Sequence, residues 1–200
     1  MRKVDPARYR AKRRSIMDAA APLFATHGLD GTSTAAIRRA AGVSSGALFH
    51  YFPSKRAVFV ALLTDEEGDK AERVAAASSH DDPWKALLEL VEHLAALAAS
   101  PVAAGLVMEA LRQTQRDPEL AETLETDSGA ELEVLTHLVA RATEEGRTEP
   151  VLSPEATADW IQTLIGALFL RAATEHDFDA TAHIRDLRSL LSRLLGHTEG

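Results

Sequence analysis

The chain has 200 residues, 46% of them hydrophobic and 26% charged, with 8 Pro and 11 Gly, a composition that excludes a disordered or collagen-like chain. It has no Cys, which excludes disulfides, thiolate metal sites and a thiol nucleophile. The net charge of −8 hides a division: residues 1–56 carry 11 Lys/Arg against 3 Asp/Glu, or +8, while residues 57–200 carry the other 11 basic residues against 27 acidic ones, or −16.

A basic unit on an acidic body implies that only the first quarter meets a polyanion, because nonspecific nucleic-acid affinity comes from Lys and Arg neutralising phosphates. The basic start, residues 1–14, is not followed by the apolar run of a secretory signal, and no stretch nears the ~20 apolar residues of a membrane span. A cytoplasmic protein is expected.

Asp5-Pro6 caps and starts a first helix. Its apolar stripe, Ile16, Ala19, Ala20, Leu23 and Phe24, recurs at helical spacing until His27-Gly28 stops it, and Pro22 inside it is a site for a bend. Ser33 is an N-cap for a short helix through Thr34, Ile37, Ala40 and Ala41, and Gly42 supplies the turn. Ser44 caps a third helix over 45–52, which ends before Pro53, and Ser54 caps a fourth with Val58, Phe59, Leu62 and Leu63 on one side.

Beyond these, Asp82-Pro83, Ser100-Pro101, Asp117-Pro118 and Ser153-Pro154 repeat one device, a capping residue followed by proline at the first helical position. A last helix follows Asp179. The expected fold is all-α, with about nine helices. Linkers are expected at 77–81 and 145–152, and Ser128-Gly129 marks either a kink or a break. The expected division is a helix-turn-helix domain over 1–54 and a helical regulatory and dimerisation domain over 55–200.

The informative stretch is residues 33–55, STAAIRRAAGVSSGALFHYFPSK: a short helix, a glycine turn and a second short helix. Ile37, Ala40, Val43 and Leu48 form a small core that sets the crossing angle, which leaves Ser44, Ser45, Gly46, Phe49 and His50 to face a groove. Gly46 permits close backbone approach, and Arg38, Arg39, Lys55 and the basic residues 8–14, Arg14 among them, supply positive charge.

This stretch resembles the TetR family of one-component bacterial regulators, in their AcrR-like form. The resemblance runs over residues 10–63 and includes Ala20, Leu23, Phe24, Gly28, Thr32 and Ser33. It implies that Thr34, Ser44, Ser45, Gly46, Phe49, His50, Tyr51 and Lys55 occupy DNA-contacting positions, with Lys55 on a phosphate. Two residues depart from the family pattern: Phe49 stands where Tyr is frequent, and Ala35 where Arg is common. Between Ser44 and Phe52 there is no Arg, Lys, Asn or Gln, so the strongest bidentate base readers are missing. Readout is expected from His50, Ser45, thymine-methyl contacts and DNA shape, with the Arg-rich stretch 8–14 acting as an arm.

The resemblance also implies a homodimer that sets two reading units on a palindromic DNA operator. Ile161, Leu164, Ile165 and Leu168 with Leu187, Leu190, Leu191 and Leu194 are the expected interface, the alternative being that these stripes are intramolecular core. It further implies a repressor released by an apolar or amphipathic small-molecule inducer, for which Trp84, Met108, Leu111, Gln115, Trp160, Thr163 and Phe169 are the expected lining. No cofactor and no metal are implied.

Two rival functions compete with this one. An enzyme needs converging nucleophile, base or metal ligands, and His80, His93, His137, His176, His183 and His197 are scattered without useful spacing. An adaptor that kept the fold but lost DNA binding would not need the +8 unit to persist beside a −16 body, and a ligand-independent regulator is the other alternative.

Overall fold

The computed structural model describes residues 5–64, 76–77 and 79–197, and the regular elements among them are all helical. They are α1 (Pro6–Gly31), α2 (Thr34–Ala40), α3 (Ser45–Tyr51), α4 (Lys55–Thr64), α5 (Pro83–Ala96), α6 (Pro101–Thr114), α7 (Pro118–Glu144), α8 (Pro154–Thr174) and α9 (Ala180–Leu194), with one 3₁₀ turn at Leu97–Ala99. Nine α-helices among the described residues agree with the expected all-α fold.

Each starts where a short polar side chain can take an orphan N–H. The hydroxyls of Ser33, Ser44 and Ser54 accept from the amides of Ala36, Ala47 and Ala57, all at 3.1 Å. Asp5, Asp82, Ser100, Asp117 and Ser153 cap the five proline-started helices, and Asp179 caps α9.

α1 contains its break at Gly28, where φ 70° and ψ 174° are non-helical, and a last turn follows to Gly31. Pro22 lies inside α1 with helical neighbours on both sides. The positive φ explains the glycine. The space explains it independently: a Cβ there would sit 3.1 Å from Oε2 of Glu109 on α6.

The Arg-rich stretch 8–14 lies in the first turns of α1, where the expected Asp5-Pro6 start puts it, with Asp5 accepting from the Ala7 amide; residues 1–4 lie outside the described residues, as does Ser78 of the expected 77–81 linker. Two expectations need correcting. Ala40 is exposed, not core. Ser128-Gly129 falls inside an uninterrupted α7, since one glycine costs a helix only ~1 kcal/mol.

Two buried clusters organise the molecule. The first joins Ile16, Met17, Ala20 and Phe24 of α1 to Ile37, Val43, Leu48 and Phe52, and continues through Val58 and Phe59 of α4 into Leu106 and Ala110 of α6 and Leu120 of α7. Phe24 and Phe59 meet edge to face at 5.3 Å. Packing thus runs across the position of the expected 54/55 division. The second cluster, from Trp84 and Leu87 through Leu135, Leu138, Ile161 and Leu191, is built from α5, α7, α8 and α9.

Polar ties reinforce the seam. Arg56 of α4 binds Asp117 at 2.7 Å and Glu119 at 3.1 Å, at the start of α7. Glu109, only 8% exposed, accepts from the Leu29 amide at 2.6 Å and from Arg112 and Gln113 at 2.8 Å. Burial pushes this carboxyl up, but the Arg112 guanidinium, the Leu29 amide and the Gln113 amide outweigh it and hold it at about 2 against an ordinary 4.5.

A carboxylate depressed in this way stabilises the fold fully above its ordinary value and loses that contribution as pH falls toward the depressed one. The wild type should therefore lose thermal stability between pH 4.5 and about 2 in part through Glu109. Glu109→Gln should be weaker at pH 7 by roughly 2–3 kcal/mol and fall less steeply over that window; parallel melting curves at neutral and acid pH check this.

Candidate nucleic-acid interface

The outward side of α3 is set by what its inner side buries. Leu48 is 3% exposed and Phe52 1%, so at helical spacing Ser45, Gly46, Phe49 and His50 turn to solvent, and all four are exposed. Phe49 shows 53% of its surface. Ser44 is exposed too; its oxygen caps the Ala47 amide while its own hydroxyl hydrogen remains available to an acceptor.

The far end of α3 is packed against the start of α1. Tyr9 stacks at a tilt on Tyr51 at 4.9 Å, and the His50 ring stands edge-on to both tyrosines, 5.1 Å from Tyr51 and 6.0 Å from Tyr9. Arg13 donates to the Tyr51 carbonyl at 3.1 Å and lies over the Phe52 ring at 4.2 Å, so this arginine fixes the α1–α3 angle. Arg8, Lys12 and Tyr51 line a notch of about 360 Å³ beside it. The reading helix and the basic first turns of α1 thus form one continuous surface. Thr34 and Arg38 lie half-buried on α2, and Arg14 is exposed on α1.

Lys55 has a structural occupation that the sequence did not show. Its ammonium donates to the carbonyls of Leu29, Asp30 and Thr32 at 2.7, 3.1 and 2.9 Å, satisfying the exposed end of α1. Its three hydrogens are taken, so the expected phosphate contact requires one of these bonds to be given up.

Gly46 separates a folding role from a binding role. A Cβ built there meets nothing within 4 Å, and its φ is not in the left-handed region, so the fold does not require glycine. Gly46→Leu is expected to leave the melting temperature within a few degrees and to weaken DNA binding more than tenfold, by holding the backbone off the groove. Circular dichroism melts alongside fluorescence anisotropy on duplex DNA check both halves.

The residues expected to line an inducer pocket are not together. Met108, Leu111 and Gln115 line a cleft of about 930 Å³ between α1 and α6. Trp84 is instead buried in the body, stacked 4.4 Å from His197. Phe169 packs against the same core, while Trp160 and Thr163 face outward from α8.

The expected dimer stripe divides as well. Ile161, Ile165, Leu168, Leu187 and Leu191 are core of the protomer, and Leu164 packs against that core. Leu190 and Leu194 are 58% and 42% exposed. α8 is apolar on both faces, so its spacing could not say which face turns inward. The outward apolar stripe is Trp160, Ala167 and Leu170 on α8 with Leu190 and Leu194 on α9. Sequence reasoning also missed Glu109 and Arg112, whose signal was a lone carboxylate in the apolar run Ala103, Ala104, Gly105, Leu106, Val107 and Met108.

Residues 16–62 match the family model described as bacterial regulatory proteins, tetR family. Over 187 residues the chain is 26% identical to the HTH-type transcriptional repressor Rv1474c of Mycobacterium tuberculosis, covering 94% of this chain and 96% of that one. The fatty acid degradation regulator FadR of Bacillus halodurans superposes with a TM-score of 0.73 at 25% identity, covering 98% of this chain and all of that one. FadR of Bacillus subtilis, solved in complex with stearoyl-CoA, gives a TM-score of 0.73 at 20% identity over 90% of this chain and 98% of its own.

Proposed function

Because the chain belongs to the TetR family of helix-turn-helix transcriptional regulators, we propose that it works as a homodimeric repressor in the cytoplasm, binding a two-fold operator and leaving it when a small molecule binds. The family makes it a regulator rather than an enzyme. The observation that carries the DNA-binding part is the exposed, cation-flanked face of α3: Ser44, Ser45, Gly46, Phe49 and His50 outward, with Arg8 and Lys12 beside them on α1.

The reading assigns phosphate contacts to the basic side chains of α1 and to Ser44, and base contacts to Ser45, His50 and Phe49, the last suited to a thymine methyl. A reading helix this poor in bidentate donors takes much of its specificity from DNA shape. Thr34, Arg38, Tyr51 and Arg14 are proposed to flank this contact. The proposed division places reading in residues 1–54 and regulation in 55–200.

The dimer is supported by the apolar stripe of α8 and α9. Four of the nine large apolar side chains exposed among the described residues lie on it: Trp160, Leu170, Leu190 and Leu194. Clustered exposure of this kind marks a surface that is covered, and a second copy offering the same stripe closes it symmetrically. The repressor sign follows the Mycobacterium relative, and the response to a small molecule follows the Bacillus subtilis protein with its acyl-CoA.

The test is a titration of the purified protein onto the DNA upstream of its own gene, with the mass of the complex read by light scattering. Saturable binding with an even number of protomers, weakening steeply with salt, supports the reading. Equal affinity for that DNA and for random duplex would count against it as a local repressor.

A further inference from the structure

The cleft between α1 and α6 presents the apolar side chains of Met108 and Leu111 on its α6 wall and reaches the end of α8 at Ala172 and Ala173. Its volume of about 930 Å³ is within the roughly 300–1,000 Å³ of small-molecule sites. It lies where the reading unit joins the body, outside the core of α5, α7, α8 and α9, which is filled by its own side chains.

Its polar groups are unequal. Glu109 is saturated, accepting from the Leu29 amide, from Nε and Nη2 of Arg112 and from the Gln113 amide. Arg112 is not. Its Nε and Nη2 are held by Glu109, with Asp30 at 3.5 Å from Nη2, while Nη1 has no hydrogen-bond partner among the described residues and the side chain is 41% exposed. His27 and Gln115 lie on the same lining. The open donor of the cleft is therefore Nη1 of Arg112, and a guanidinium edge suits a carboxylate.

We infer that this junction cleft binds a small organic anion with an apolar body, its anionic group on the outer edge of Arg112 and its body along Met108 and Leu111, and that occupancy loosens the end of α1. The coupling is local. Arg112 holds Glu109, Glu109 holds the Leu29 amide one residue after the Gly28 break, and Asp30 shares the same guanidinium. A third negative group on it competes with both carboxylates for α1. Beside the cleft the helices touch at backbone distance, since a Cβ on Gly105 would lie 2.9 Å from the Ala25 side chain, so an occupant shifts α1 rather than passing unnoticed.

This inference rests on the chain being a DNA-binding regulator, and the experiment separates the two. Decanoate at submicellar concentration is titrated into the full-length protein by calorimetry, with decanol as control. DNA affinity is measured by anisotropy with and without decanoate, and Arg112→Gln and Leu111→Glu are run alongside wild type. Leu111 is 53% exposed, so Leu111→Glu changes the charge of the cleft without removing a core side chain, and melting curves verify both variants.

The expected result is one decanoate per protomer, decanol at least tenfold weaker, decanoate weakened at least tenfold by each substitution, and wild-type DNA affinity lowered at least tenfold at saturation. No saturable uptake, equal uptake of decanol, indifference to both substitutions, or unchanged DNA affinity at saturation would each overturn it. DNA affinity of the ligand-free protein in the same titration shows separately whether the regulator reading stands.

Discussion

Trp160→Asp combined with Leu190→Asp is expected to give a folded monomer whose affinity for a two-fold operator is lower by about 10²–10⁴, the range by which linking two sites raises avidity over one. Both side chains are more than half exposed, at 52% and 58%, so neither substitution opens a cavity in the protomer. Their effect on folding should be small, because surface changes away from packed features usually stay within about 0.5 kcal/mol. Leu191→Asp is the contrasting control. Leu191 is fully buried in the body core, and a charge there should unfold the protein rather than split it. Sedimentation velocity with circular dichroism distinguishes the two outcomes.

The second large effect is electrostatic. Changing Arg8, Arg10 and Lys12 together to Gln removes three positive charges from each protomer on the surface that adjoins α3. Operator affinity is expected to fall on the order of a hundredfold at moderate salt, and the slope of log K against log salt to flatten by roughly 0.9 for each phosphate no longer neutralised. Arg13 is left in place because its cation–π and hydrogen-bond contacts with Phe52 and Tyr51 set the α1–α3 angle. Arg13→Gln should instead weaken binding by misplacing the reading helix, with a smaller change in salt slope.

Helix starts were legible in the sequence because each is written locally. Asp82-Pro83, Ser100-Pro101, Asp117-Pro118 and Ser153-Pro154 all proved to be caps with proline at the first turn. The reading helix was legible for the same reason: Ser44, Gly46 and Leu48 specify cap, open face and buried face within five residues.

What was not legible depends on distant partners. Ile161 and Trp160 are adjacent in an apolar helix, and only the presence of α7 and α9 decides that the first is core and the second surface. Lys55 looked like a phosphate ligand, but three carbonyls more than twenty residues upstream take its ammonium. Glu109 reaches Leu29 across 80 residues, a pairing no local pattern announces. Gly28 read correctly as a helix stop, yet the reason it must be glycine also includes the carboxylate of Glu109 lying against it.

The most direct test of the central claim is selection of bound duplexes from a random pool by the purified full-length protein, followed by sequencing. A two-fold reader with α3 in each major groove predicts enrichment of paired half-sites related by a dyad at one fixed spacing, abolished in Gly46→Leu and reduced to single half-sites in the Trp160→Asp, Leu190→Asp variant. No enrichment over the starting pool, or a wild-type site without dyad symmetry, would contradict the account.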